Sequence, residues 1–451
     1  MNLFKTLGDR LKGFAKNLVC TKAVLVPTIL WFSIAAAFSQ ELRQPLPNGS
    51  SNAALHYQRA ILLLGDVNPA SKKLLAEPIW QIVTPQMTDE QQNTITQLLY
   101  GGRHAIRSGM LGSQQNAADF GADLRAYGAA LLLPHVGPMH DLANLIALYG
   151  MHQQGEENWS DAAGTFLSVI RMGHHLTEQL TLGESAKGIR ILETGYYCLV
   201  TWAAHCPDRE LIAAARQSLL AIGTESVSPL AALTTEAAVV DLRLTQLQEA
   251  FPDGNWPEIL LAATNAPLPT DSVTDWREFA KAEVIKRGVP ESVFESQEQF
   301  DEYVEKMRDI YREFYARTLA ALSLPPEQAI LAGQKVHAEF ADQLLRLGDP
   351  DRLSPAQIAT FYATHQAAHR LLNVALVLCA EREGELFPQD LSGLEATFGG
   401  QLPVSPINQQ PADYQVAADR KGFRLSFPAI EVGDVAIPEV AFAYNWGATG
   451  K

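Results

Sequence analysis

Imidazole titrates near neutral pH and is the commonest protein ligand for transition metals, so the histidines are the first place to look for chemistry. His365 and His369 stand in HQAAH, one helical turn apart, so both rings can face one metal ion. A metallohydrolase helix of this kind carries a glutamate directly after the first histidine, as general base. Here that place is taken by Gln366, which cannot accept a proton. No third ligand is evident, although Glu381, Glu383 and Glu385 lie downstream. The plainer alternative is a pair of partly exposed or capping histidines on the polar face of a helix.

His174 and Glu178 form a second pair at i, i+4, next to His175. That spacing is common in any helix of this composition, and the plainer reading is a solvated last turn near a helix C-terminus. His135 and His140 flank a Gly-Pro step and could meet His104 or His152, but no spacing joins them. GxSxG, GxGxxG, P-loop and CxxC motifs are absent. A serine triad is defined by geometry rather than by spacing, so it stays open. The chain leans away from an enzyme, and no cofactor is implied.

The elements that would position these residues are helices. From Asn52 to about Glu385 the apolar residues recur at helical spacing, and the β-branched alternation of strands is nearly absent. SNAALHYQRAILLL places Leu55, Ile61 and Leu62 with Tyr57 on an apolar face. Thr88 and Gln91 have capping-box spacing. A third helix runs AADFGADLRAYGAALLL and breaks at Pro134, and His135-Val136-Gly137-Pro138 is a turn. Residues 265–297 are rich in proline, serine and acid, and read as a loop excursion with one short helix. The stripe Phe300, Tyr303, Met307, Tyr311 and Phe314 is core rather than a ligand box. Gly150, Ala162 and Phe166 have the small, small, aromatic spacing of a tetratricopeptide (TPR) hairpin. Past Glu385 the pattern changes. Leu391–Phe398 reads as a short helix released at Gly399-Gly400, and DYQVAADRKGFRLSF as a β-hairpin. The run IEVGDVAIPEVAFAYNW adds further strand, limited by Pro438. The expected fold is mainly α: an irregular array of antiparallel, TPR-like hairpins over residues 40–385, closed by a small α+β tail at 386–451.

Charge narrows the partners. The formal net charge is −15 over 451 residues. Residues 1–39 carry five basic groups against Asp9, so the remainder is more acidic still, at −19. Such a body repels phosphate backbones, which argues against nucleic acid. The basic start is followed by an uncharged run, Ala23–Gln40, ending in Ala37-Phe38-Ser39. It reads as a signal peptide cleaved after Ser39, or as an uncleaved anchor, since its 18 residues would span ~27 Å of a ~30 Å hydrocarbon core. Either way the body is expected outside the cytoplasm. Cys198 and Cys206 lie on one expected helix about 12 Å apart by rise, too far to bridge. These two and Cys379 read as small buried residues, and a bridge from Cys379 stays open.

The run RLLNVALVLCAEREGELFPQDLSGL, then LPVSP, then DYQVAADRKGFRLSF, is similar to the ending of type II secretion major pseudopilins. It also resembles a group of large, uncharacterised, exported helical proteins of bacteria, to which LSLPPEQAI and GTFLSVIRMGHHL also bear a likeness. The long helical body favours the second group. The pseudopilin loop carries an Asp-Pro step that helps hold calcium, where this chain has Ser405-Pro406, and the prepilin cleavage pattern is absent. The resemblance implies export and a helical body, and no activity. The sequence therefore points to an extracytoplasmic helical interaction or scaffold protein with protein partners, in the periplasm or cell envelope. The alternatives are a metal-dependent hydrolase using His365 and His369, and an envelope or secretion-complex component.

Overall fold

The computed structural model describes residues 52–65, 67–83, 88–121, 133–254, 256–263, 275–347 and 353–445. The expected signal or anchor segment, Ala23–Gln40, lies outside them. The body is mainly helical, and a small antiparallel sheet closes its C-terminal end.

The first packed pair is α1 (Ala53–Leu64) and α2 (Asp89–Ser113), with one-turn helices at Pro69–Lys72 and Ile79–Ile82 between them. Thr88 and Gln91 cap α2 reciprocally, as their spacing predicts. Helix α1 departs from expectation. Tyr57 is buried, but Leu55 is 49% and Leu62 77% exposed. The face that packs is built instead from Ala53, Ala54, Ala60 and Leu64 around Tyr57. Small residues let Tyr57 reach the surface of α2, where Gly112 gives it room: a Cβ there would sit 2.6 Å from the Tyr57 ring.

Next come α3 (Val136–Gly155), α4 (Trp159–Thr177), α5 (Leu182–His205) and α6 (Arg209–Ile222). Helix α3 starts at Val136, so Gly137 and Pro138 lie inside its first turn rather than in a loop. Proline is tolerated there because the first N–H groups have no intrahelical acceptor. The stretch expected as a third helix starts in extended chain, where Ala117 bridges to Asn52, and the remainder from 122 to 132 lies outside the described residues. Helices α4 and α5 cross closely, with glycine on both sides. A Cβ on Gly188 would lie 2.6 Å from the Gly173 carbonyl oxygen, and one on Gly173 would lie 2.8 Å from that of Gly188.

The chain continues through α7 (Leu230–Ala250), α8 (Pro257–Ala263), α9 (Trp276–Lys286), α10 (Gln297–Leu322), α11 (Pro326–Arg346) and α12 (Pro355–Ala380). Helix α9 is the short helix expected within the 265–297 excursion. The aromatic stripe of α10 is buried, including Phe300, Tyr303, Met307, Tyr311 and Phe314.

Helix α12 joins the helical body to the tail. Pro355 starts it and Gln357 accepts from the Ser354 N–H at 3.3 Å. Most of its residues are apolar and buried. It meets α5, α6, α10 and α11 on the body side and β2, β4 and β5 on the tail side. The tail has β1 (Asp413–Val416), β2 (Phe423–Phe427), β3 (Ile430–Val432), β4 (Val435–Ile437) and β5 (Val440–Tyr444). The order β1-β2-β5 forms an antiparallel sheet, and β3-β4 a separate hairpin. Tyr414 faces Leu425 and Val416 faces Phe423, the register that the alternation predicts. The expected short helix at Leu391–Phe398 is a 3-10 segment, Ser392–Phe398, stopped by Gly399 at φ 76°. Phe423, Leu425, Phe427 and Phe442 are buried in the same hydrophobic core as α12.

Candidate functional site

The histidine pair lies at the middle of this arrangement. His365 and His369 share one face of α12, as their one-turn spacing predicts; that face is turned towards α5, and both are buried, at 1% and 2% exposure. The expectation of partly exposed or capping side chains fails. Ala363, Ala367, Ala368 and Leu372 flank them on the buried side, while the partly exposed stripe Gln366, Arg370 and Asn373 carries the polar face of α12 at this level, so the histidines stand on the wrong side of the helix for solvent.

Their neighbours come from two other elements. Tyr196 on α5 stacks on His365, with ring centroids 5.8 Å apart, and tilts against His369 at 6.0 Å. The turn that follows α6, Thr224–Ser226, supplies the rest. The His365 Nε2–H donates to the Thr224 carbonyl at 3.1 Å, and the Tyr196 hydroxyl donates to Thr224 Oγ1 at 2.8 Å. Thr224 thus receives one bond from α12 and one from α5, and ties the two helices through a single residue. Glu225, on the same turn, takes the Arg370 guanidinium at 2.9 Å and lies 3.9 Å from His369 Nδ1, beyond hydrogen-bond reach. Among the described residues His365 Nδ1 and both His369 nitrogens have no hydrogen-bond partner.

Burial decides the protonation of this group. It pushes His365 down to about 4; the bond to Thr224 opposes the shift, and His369 and His174 add to it. Burial also takes His369 down to about 4, with Glu225 opposing and Arg370 assisting. Burial raises the Tyr196 hydroxyl well above its ordinary value. The cluster is neutral across the physiological range.

Of the remaining histidines, His175 and His135 are held by core partners, and His174, His104 and His152 are not. His175 on α4 accepts from the Tyr57 hydroxyl at Nδ1, 2.7 Å away, and burial lowers it to about 4. The His174–Glu178 pair is a loose 3.9 Å contact at the helix end. His135 lies 3.0 Å from Glu184 and stacks flat on Phe120 at 3.9 Å. Glu184 is also the N3 partner of the Thr181 capping box that starts α5. His104 and His152 are exposed, and the structure brings neither to His135. Tyr362, one turn before His365, donates to Ser185 Oγ at 2.6 Å, a contact that nothing in the linear spacing announces.

As ligands these residues fall short of a set. Among the described residues no group of three or more His, Cys, Asp or Glu side chains converges as a metal site. Glu381, Glu383 and Glu385 follow the far end of α12, three to four turns from His369. Cys198, Cys206 and Cys379 are buried and free. Burial raises all three thiols, that of Cys379 to about 12, so they remain protonated and unreactive.

Comparison with family models, with curated proteins and with solved structures finds nothing that matches this chain. Among the described residues no helix is long and apolar enough to cross a membrane.

Proposed function

We propose that this chain is an extracytoplasmic helical interaction or scaffold protein, delivered by its N-terminal segment and held at the membrane if Ala23–Gln40 remains attached. The observation that carries this reading is how the chemistry-bearing side chains are used. His365 with Thr224, Tyr196 with Thr224, His175 with Tyr57, and Tyr362 with Ser185 each join one helix to another element inside the core. Polar groups placed like this orient helices against one another and present nothing to a substrate. The surface is left with the charge, and an acidic body suits protein partners or cations better than polyanions. The TPR-like reading belongs to this proposal. Its support is the α3–α4 crossing, where Gly150 lies against Phe166 so closely that a Cβ would come within 2.5 Å of the ring. The docked α+β tail supports membership of an envelope or secretion complex as the specific form of scaffold role.

Cell fractionation with N-terminal sequencing tests the placement: a mature start at Gln40 in a soluble extract removes the anchor, and a cytoplasmic pool with an intact start removes the export reading. In-cell cross-linking tests the role, and recovery of the chain free of any envelope protein counts against a scaffold. One observation favours the hydrolase alternative, namely the unpartnered His369 nitrogens with Glu225 nearby. Metal analysis of the purified protein decides it. Stoichiometric zinc lost in the His365→Ala and His369→Ala variants supports a metal site, and absence of zinc sinks it.

A further inference from the structure

The exposed faces of the first helix pair carry basic groups and, beyond the first turn of α2, no acidic ones. In a chain with 50 acidic residues, no carboxylate occurs between Glu41 and Asp66 or between Glu90 and Asp119. Those intervals contain all of α1 and all of α2 beyond its first turn. Both helices turn arginines and apolar side chains to solvent. On α1, Leu55, Arg59 and Leu62 fall at i, i+4 and i+7, on one exposed face. On α2, Tyr100, Arg103, Arg107 and Leu111 form another exposed stripe, with Tyr100 72% and Leu111 41% accessible. Arg103 lies over the Tyr100 ring, 4.5 Å from its centroid, and donates to the Tyr100 carbonyl at 2.8 Å. Arginine, tyrosine and leucine together on a carboxylate-free helix face are the composition of a surface that sits in the headgroup layer of an anionic bilayer. The aromatic ring and leucines enter the acyl boundary and the guanidinium groups meet phosphate.

We propose that the outer faces of α1 and α2 rest on an anionic lipid surface. Charge complementarity argues for the occupant, since the acidic remainder of the body would be repelled by the same surface and turned away from it. With Ala23–Gln40 retained as an anchor, chain connectivity argues for it as well. Helix α1 begins 13 residues after Gln40, a reach of at most about 45 Å from the end of the apolar run. The proposal rests on the membrane-proximal placement above, and the experiment separates the two.

The full chain would be mixed with vesicles of phosphatidylcholine alone, and of equimolar phosphatidylcholine and phosphatidylglycerol. Flotation and amide hydrogen exchange would be read together. The expected result is slowed exchange over residues 97–111 only with phosphatidylglycerol, reversed by salt, and lost in Arg103→Gln/Arg107→Gln. Each arginine is worth roughly fivefold in partitioning, so the double variant should bind roughly 30-fold more weakly. Leu345→Gln, an exposed leucine on α11, should leave binding unchanged. Flotation on both vesicle types without slowed exchange in α2 keeps the anchor and overturns the proposal. Flotation and protection on the anionic vesicles alone keeps the proposal and removes the anchor. Absence of flotation from both overturns both, and equal protection by neutral and anionic vesicles overturns the charge-based recognition.

Discussion

His365 and His369 occupy the core as neutral rings, and that has a cost at low pH. Both have folded-state pKa values of about 4, below the ordinary 6.5, so the unfolded chain binds protons that the folded chain refuses. Stability is therefore complete above pH 6.5 and falls as the pH drops from 6.5 towards 4. The loss approaches about 3 kcal/mol for each histidine taken alone. Urea titrations at pH 7.5 and 5 should show the midpoint falling with acid, and His365→Gln should flatten that fall. An unchanged pH dependence in the variant would show that the ring is not the acid-sensitive group. The Tyr196 hydroxyl is predicted to stabilise the fold by about 1–2 kcal/mol through Thr224, measured as the loss in Tyr196→Phe. The spacing of the two histidines showed that they share a face, because helical periodicity is local. It could not show what that face meets, because Tyr196 and Thr224 are more than a hundred residues away in the chain. The same limit hid the contact of Tyr362 with Ser185 and that of His135 with Glu184.

At the scale of elements, the crossing of α4 and α5 is set by glycine on both sides. A methyl group on Gly188 would run into the Gly173 carbonyl and the Thr177 amide, neither of which can rotate away as a side chain does. Gly188→Ala should cost about 3 kcal/mol or more and lower Tm, as overpacking against rigid backbone does. Gly164→Ala provides the contrast. That glycine is mid-helix in α4 with nothing within 4 Å of the new methyl, so the substitution should stabilise by up to about 1 kcal/mol. Finding the two variants equally destabilised would refute a packing role for the crossing. The elements themselves were largely readable in advance. Capping residues, proline positions and the period of the apolar pattern are all local signals, as in Thr88 with Gln91 and in the β1–β2 register. Helix α1 shows where this stops. Its leucines pointed to one apolar face and its alanines to another, and the alanine face won because Tyr57 needs close approach to Gly112. Propensity and hydrophobicity do not rank such faces; the shape of the partner does.

For the whole molecule, α12 is the piece shared by α5, α6, α10, α11 and the tail. The tail strands β2 and β5 pack on it from one side and α5 and α6 from the other, within one continuous core. The Arg382 guanidinium, just past its end, takes the Ala204 and Cys206 carbonyls at the end of α5. Deleting the tail from Phe387 onward would bare that side of α12, and the truncated chain should aggregate or bind a hydrophobic dye rather than fold as a trimmed monomer. Calorimetry of the intact body should show one cooperative transition, whereas two separated transitions would mean that the tail folds independently. The central place of α12 also bears on how the chain reaches its fold. Helix α5 is complete at residue 205 and α12 at residue 380. At a synthesis rate of about 5–20 residues per second, the earlier helices wait roughly 10–35 s for the partner that covers them. Through that interval they offer uncovered apolar surface to whatever is at hand, so nascent chains stopped before Pro355 should be captured by chaperones, and release should follow emergence of the last helix.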